Sequence, residues 1–207
     1  MHSQPDPARP GKNDFFDTFA RKTTAMRFTP EDAPRLELLR QRLGDLRGQR
    51  VVEPGCGAGP LTERLAEWVG AGGCVMAFDP SAGMLDLCRK AIAGKANVQL
   101  AQVRCEEASL PERAWDRVIC FRVFPHFDDV DAVLARFSRW LKPAGRLHIV
   151  HWDGRAALAS IHGGCAPLAE DVLPPPEELA AALARHGFAI AAAIDNAEEI
   201  YLEAVLG

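Results

Sequence analysis

The chain has no apolar run that approaches the roughly 18 residues needed to cross a bilayer, and its opening stretch, "MHSQPDPARPGKND", has no apolar signal-peptide core. A transmembrane helix is thereby excluded, and a soluble, cytoplasmic protein with no membrane partner is expected. There is no basic surplus either: 24 Lys and Arg stand against 28 Asp and Glu, a formal net charge of −4. That balance creates no field to gather nucleic acid, so the expected partner is a small molecule. No oligomeric state is indicated. Cys56, Cys74, Cys88, Cys105, Cys120 and Cys165 form no C-x-x-C pair, and several lie inside apolar segments. They read as reduced, mostly buried thiols rather than a disulfide framework or a zinc knuckle. With no internal repeat and no low-complexity block, the 207 residues divide into a flexible polar tail over 1–13 and one domain over 14–207.

What is present is an alternation of short apolar runs with amphipathic ones. Two helices come first. "DFFDTFARKTTAM" sets Phe15, Phe16 and Phe19 at helical spacing, and "PEDAPRLELLRQRLG" puts Leu36, Leu39 and Leu43 on one face with Gly44 at its end. From Arg50 onward "RVVEP", "CVMAFD", "NVQLAQV", "DRVICFRV" and "GRLHIVHW" read as strands, with helices between most of them. Strand then helix, repeated, is the pattern of a parallel sheet covered on both faces. "LKPAGRLHIVHW" reads as a helix end, a Pro-Ala-Gly turn and a fifth strand. Residues 153–176 read as irregular, "EELAAALARHG" as a helix, and "FAIAAAID" and "EEIYLEAVL" as an antiparallel hairpin. The expected fold is α/β and Rossmann-like: a seven-stranded, mostly parallel sheet with helices on both faces, the last strand antiparallel, and an N-terminal helical lid.

"VVEPGCGAGPLTERL" is the first strand and the first turn. Gly55, Gly57 and Gly59 let backbone groups meet a ligand with no side chain between, and the following helix offers its positive N-terminus. The register departs from G-x-G-x-x-G, which disfavours a dinucleotide and an NAD-dependent reductase. Glu53, two residues before the first glycine, suits an ammonium or sulfonium group better than a pyrophosphate. A packing turn with no ligand is the plain alternative. Asp79 ends the second strand, where an acid can accept both hydroxyls of a ribose; it could also cap the next helix.

In this order, "VVEPGCGAGPLTERL", "VMAFDPSAGMLDLCRK", "AWDRVICFRVFPHF" and "LKPAGRLHIVHW" resemble the class I S-adenosylmethionine-dependent methyltransferases, in the branch with a methyltransferase type 11 core. The resemblance implies S-adenosylmethionine as cofactor and methyl transfer to a small-molecule acceptor; a non-catalytic binding module or regulatory partner is the rival from another class. It places Gly55, Cys56, Gly57 and Gly59 around the methionine part, with Glu53 near its ammonium. Asp79 would take the ribose hydroxyls, Pro80 and Met84 would flank the adenine, and Glu106 or Glu107 would meet the adenine amino group. Cys120 and Phe121, ending the fourth strand, would face cofactor and substrate. The turn before the fifth strand departs from the usual pattern at Ala144, as does Pro60 after the glycines.

In-line methyl transfer needs a base only when the acceptor must lose a proton. The candidates are His126, His151 and His162, all at or beyond the carboxyl ends of strands, the ligand-binding edge of such sheets. As structural residues, His126 would cap a loop and His162 would lie on the surface. His148, three positions before His151, points to the other sheet face and reads as a packing residue. No two of the three candidates have i, i+4 spacing, and no metal is expected. Residues 153–176 and the Phe15-Phe16-Phe19 helix would form walls and lid, and Phe124, Phe127 and Trp152 point to a partly hydrophobic acceptor.

Overall fold

A computed structural model describes residues 11–22 and 27–207. Among these, strands β1 (Arg50–Pro54), β2 (Cys74–Phe78), β3 (Val98–Ala101), β4 (Trp115–Phe121), β5 (Leu141–His151), β6 (Phe188–Asp195) and β7 (Ile200–Leu206) form one sheet in the order β3-β2-β1-β4-β5-β7-β6. The first five are parallel, and β7 runs antiparallel between β5 and β6. The expected sheet is therefore present, its antiparallel final strand included.

Successive residues of the central strands feed different cores. Val51, Ile119 and Val150 pack with Leu61, Leu65 and Leu85 on one face. Val52, Val118 and Ile149 pack with Phe137, Trp140 and Leu183 on the other. A strand apolar at consecutive positions has to be covered on both sides, which is why these runs do not alternate with polar residues. Helices α2 (Ala33–Leu43), α3 (Pro60–Val69) and α4 (Ala82–Ala91) cover the first face, and α5 (Val130–Trp140) and α7 (Pro176–Arg185) cover the second. Their starts are chemically marked. Asp129 accepts from the Ala132 amide at 2.9 Å, Ser81 accepts from the Met84 amide at 3.1 Å, and Pro60 opens α3, where its missing N–H has no cost.

Three local expectations are corrected. The stretch read as irregular contains helix α6 (Arg155–Gly163) and a 3₁₀ turn at Ala166–Leu168. The helix is short and rich in Ala and Gly, and it is held by tertiary burial of Leu158 and His162 rather than by a clear apolar stripe. The Pro-Ala-Gly turn before the fifth strand is a bulge inside it: pairing passes from Trp115 opposite Leu141 to Arg117 opposite Arg146, and residues 142–145 loop out with Ala144 at φ 60°. Finally, helix α1 (Lys12–Lys22) begins inside the expected tail, whose residues 1–10 lie outside the described residues, as do residues 23–26 at the end of the expected first helix.

His148 lies fully buried on the α2 side of β5, 3.3 Å from the Tyr201 hydroxyl and 3.5 Å from the Arg117 guanidinium. It is the packing residue that its parity implies. Burial, and then the charges of Arg117 and Arg146, push its pKa down to about 3 from 6.5. The unfolded chain therefore binds this proton more readily, so the contribution of His148 to stability is complete above the unfolded value and is lost as pH falls toward the folded one. His148→Phe is expected to flatten the pH dependence of the unfolding free energy between about pH 6 and 4 by about 1 kcal/mol per pH unit. Urea unfolding at several pH values measures this, and a slope equal to wild type would refute it.

Candidate active site

The carboxyl ends of β1, β2, β4 and β5 open on a cavity of about 600 Å³, at the point where strand order reverses between β1 and β4. The glycine turn forms its floor. Gly55, Gly57 and Gly59 have φ of 64°, 53° and 82°, the left-handed region that a side chain disfavours. Two of them are also needed for space: a Cβ on Gly55 would stand 2.1 Å from Val123 Cγ2, and one on Gly59 would stand 2.5 Å from Cys88 Sγ. Gly57 differs, because nothing lies within 4 Å of its Cβ position. Its amide donates to Asp79 Oδ2 at 2.9 Å, and the Ser81 amide donates to Oδ1 at 2.9 Å. Asp79 is thus fixed by two backbone amides while Ser81 caps α4. Burial raises the Asp79 pKa, opposed by those two amides.

Glu53 sits beneath this turn, 2% exposed, and its Oε2 has no hydrogen-bond partner among the described residues. Burial raises its pKa well above the ordinary carboxyl value; the Thr62 hydroxyl opposes this, while Cys88 and Asp79 add to it. A buried carboxylate oxygen left without a partner costs stability and calls for an explanation.

Helix α1 forms one wall, as the lid expectation has it. Phe15, Phe16 and Phe19 line the cavity. Asp17 fastens the helix, with Oδ1 accepting from the Ser81 hydroxyl at 2.5 Å and from the Gly83 amide at 2.9 Å. Gly83 permits the approach, since a Cβ there would stand 3.0 Å from that of Ala20. On the opposite wall Phe28, Phe121 and Trp152 form an aromatic cluster with centroids 5.0–5.9 Å apart.

The three histidines converge on this cavity. His151, at the end of β5, is 1% exposed and neither ring nitrogen has a partner among the described residues. Burial, then the neighbouring His126, Arg122, His162 and Arg155, lower its pKa to about 3, so it is a neutral imidazole. The His126 and His162 rings lie 4.9 Å apart. His126 Nδ1 is 2.6 Å from Asp171 Oδ2, and His162 Nδ1 is 2.6 Å from the Asp171 carbonyl oxygen. His162, expected as a site or a surface residue, is buried in α6 and lines the cavity. His148 is on the other face of the sheet.

Of the expected cofactor-facing residues, Gly55, Cys56, Gly57 and Asp79 line the cavity, as do Pro80, Met84, Glu106 and Phe121. Gly59 and Glu53 lie behind the turn. Two do not reach the site: Cys120 is enclosed in the core with Val52 and Ile149, and the Glu107 side chain is 68% exposed. Cys120 faces inward because it shares parity with Val118 along β4, and Glu107 extends from the far side of a turn whose near side carries Glu106. Sequence reading missed Asp171, Lys12 and Arg122. Lys12 lies in the expected tail, yet its Nζ is 2.6 Å from Asp171 Oδ1 and 2.8 Å from Asp128 Oδ1. Burial works against its charge, but the two carboxylates outweigh it and hold its pKa above the ordinary lysine value. Arg122 adopts φ 56° on the cavity rim, a strained conformation for a residue with a side chain, and its amide donates to the Val150 carbonyl at 2.8 Å. No local pattern marks any of the three.

Residues 51–145 match the methyltransferase domain family. Over 102 residues the chain is 33% identical to the aklanonic acid methyltransferase DauC of Streptomyces sp. (strain C5), covering 48% of this chain and 46% of that one. Over 133 residues it is 30% identical to the ubiquinone biosynthesis O-methyltransferase of Klebsiella pneumoniae subsp. pneumoniae, covering 62% and 54%. The chain spans about half the length of the curated relatives it matches. Its fold is that of a solved S-adenosylmethionine-dependent methyltransferase from Aquifex aeolicus, with a TM-score of 0.66 over 87% of this chain and 100% of the other at 21% identity. In its motifs, its strand order and the segment it shares with these proteins, the chain is similar to S-adenosylmethionine-dependent methyltransferases.

Proposed function

We propose that this chain is a cytoplasmic enzyme that transfers a methyl group from S-adenosylmethionine to a small-molecule acceptor. The observation that carries the reading is Glu53: a buried carboxylate oxygen without a partner among the described residues, beneath a glycine turn whose middle residue has none of them within 4 Å of its Cβ position. A ligand with an ammonium group would satisfy that oxygen and offset its burial. Asp79 fits the same ligand. Each of its oxygens holds one amide, and a carboxylate has about four lone-pair sites, so two remain for ribose hydroxyls. Pro80, Met84 and Glu106 line the same cavity and would meet the adenine.

When bound, S-adenosylmethionine supplies a methyl group activated on a sulfonium. The tasks left to the chain are to align the acceptor and to keep water out. The α1 phenylalanines and the Phe28, Phe121 and Trp152 cluster do both for an acceptor with a flat apolar body. The relatives' names refer to aklanonic acid and to ubiquinone biosynthesis, small molecules in each case. His151, neutral and unpartnered, offers one donor and one acceptor to a polar group on that body. The net charge of −4 gives no support to a nucleic-acid acceptor.

Calorimetric titration with S-adenosylhomocysteine is expected to show micromolar binding, and no binding would withdraw the proposal. Glu53→Gln is expected to weaken that binding about tenfold or more, the scale of a lost charge-assisted contact, without lowering stability near neutral pH, because a neutral amide is cheaper to bury than a carboxylate. Unchanged affinity would remove Glu53 from the site. Gly57→Ala is expected to cost about 1–2 kcal/mol of stability for its left-handed backbone. Its Cβ meets no protein atom, so any loss of S-adenosylhomocysteine affinity beyond the unfolded fraction reports ligand approach; full retention would place the ligand elsewhere.

A further inference from the structure

Asp171 is a buried carboxylate joined to three other chain segments. Its Oδ2 is 2.6 Å from His126 Nδ1, its Oδ1 is 2.6 Å from Lys12 Nζ of α1, and its carbonyl oxygen is 2.6 Å from His162 Nδ1 of α6. Lys12 also donates to the His126 carbonyl at 3.3 Å, so it grips both members of the His126–Asp171 pair. The Phe16 ring stands edge-on to His126 at 5.5 Å.

Hydrogen-bond chemistry decides the tautomers. A carbonyl oxygen only accepts, so His162 carries its proton on Nδ1; an ionised carboxylate only accepts, so His126 does the same. Among the described residues no group takes up Nε2 of His126, and the ring lines the cavity. An imidazole with one nitrogen held by a buried carboxylate and the other left as a lone pair, in a ring that lines a ligand cavity, is arranged to receive a proton.

The charges around it support that role. The groups that face His126 are Asp171, Lys12, His162, His151 and Asp79, with Asp128, Arg104 and Glu106 one contact further. Lys12 lies between Asp171 and Asp128, and Arg104 pairs with Asp128. Those two cations face those two carboxylates, and Asp79 and Glu106 are further acids nearby, so the imidazolium formed when His126 takes a proton stands among more carboxyl groups than cations.

We propose that Asp171 is a positioning residue that holds His126 as the proton acceptor of this site, and that Lys12 completes the pair only when α1 is docked. The proposal rests on the methyltransferase reading and narrows it to acceptors that carry a proton on the accepting atom, hydroxyl groups above all. In the step, the acceptor O–H bond breaks and its proton goes to His126 Nε2. The oxygen pair forms the new O–CH₃ bond as the S–CH₃ bond breaks with its electrons kept by sulfur, and the imidazolium is matched by Asp171.

The test is heteronuclear NMR of the His126 ring in the full chain, with and without S-adenosylhomocysteine. The expected result is an Nδ1-protonated tautomer with an observable hydrogen-bonded Nδ1 proton. In Asp171→Asn that proton signal is lost or moves upfield, since a charge-assisted hydrogen bond is stronger than a neutral one. In Lys12→Met the signal broadens. A His126 protonated on Nε2 in the wild type would overturn the proposal, as would an unchanged Nδ1 proton signal in Asp171→Asn. The wild-type tautomer needs no substitution, so the outcome survives a variant that fails to fold. Failure of the wild type to bind S-adenosylhomocysteine, with the Nδ1-protonated ring present, would instead overturn the methyltransferase reading.

Discussion

The structure depends on the close approach of the β1–α3 turn to its neighbours. The backbone at Gly55 lies against Val123, just after β4, and at Gly59 against Cys88 of α4, at separations that leave no room for a methyl group. This contact locks the turn between the two chain segments that diverge at the switch in strand order. It also aims the Gly57 amide at Asp79, which in turn fixes the start of α4. One short turn thereby sets the floor of the cavity, the orientation of its principal acid and the helix on which the N-terminal wall rests.

Around that floor the chain tolerates groups that a purely structural protein would avoid. Among the described residues, Glu53 keeps a carboxylate oxygen and His151 keeps both ring nitrogens buried without partners. Each costs folding free energy, and each is consistent with a polar ligand that supplies the missing contact. His148 shows the contrast within the same strand. It too is fully buried, but Tyr201 and Arg117 attend its two nitrogens, and it does not line the cavity.

The walls are assembled from distant parts of the chain. Asp17 of α1 accepts from Ser81 and Gly83 of α4, and Lys12 of α1 meets Asp171 beyond α6. Docking of the first helix is therefore coupled to the geometry of the histidine pair at the far side of the cavity. The aromatic cluster of Phe28, Phe121 and Trp152 closes the remaining side with three rings whose one polar group is the indole N–H of Trp152.

The sequence by itself determined the sheet, the glycine turn and the roles open to Glu53 and Asp79. These rest on short-range features: apolar runs buried on both faces, glycines two residues apart, and acids at strand ends. It also separated His148 from His151, because strand parity is a local property. Tertiary structure decided the rest. Helix α6 exists because Leu158 and His162 find a core to enter, and its Ala- and Gly-rich sequence carries little sign of that. Cys120 is withdrawn from the cavity by the packing of its sheet face, whereas its neighbour Phe121 lines it. Asp171 and Lys12, 159 positions apart by subtraction of their numbers, meet only after the sheet has brought their segments to one edge. Local periodicity reports which face a residue occupies; which distant residue it meets there is set by the packing of whole elements, and a single chain of letters does not encode that in any short window.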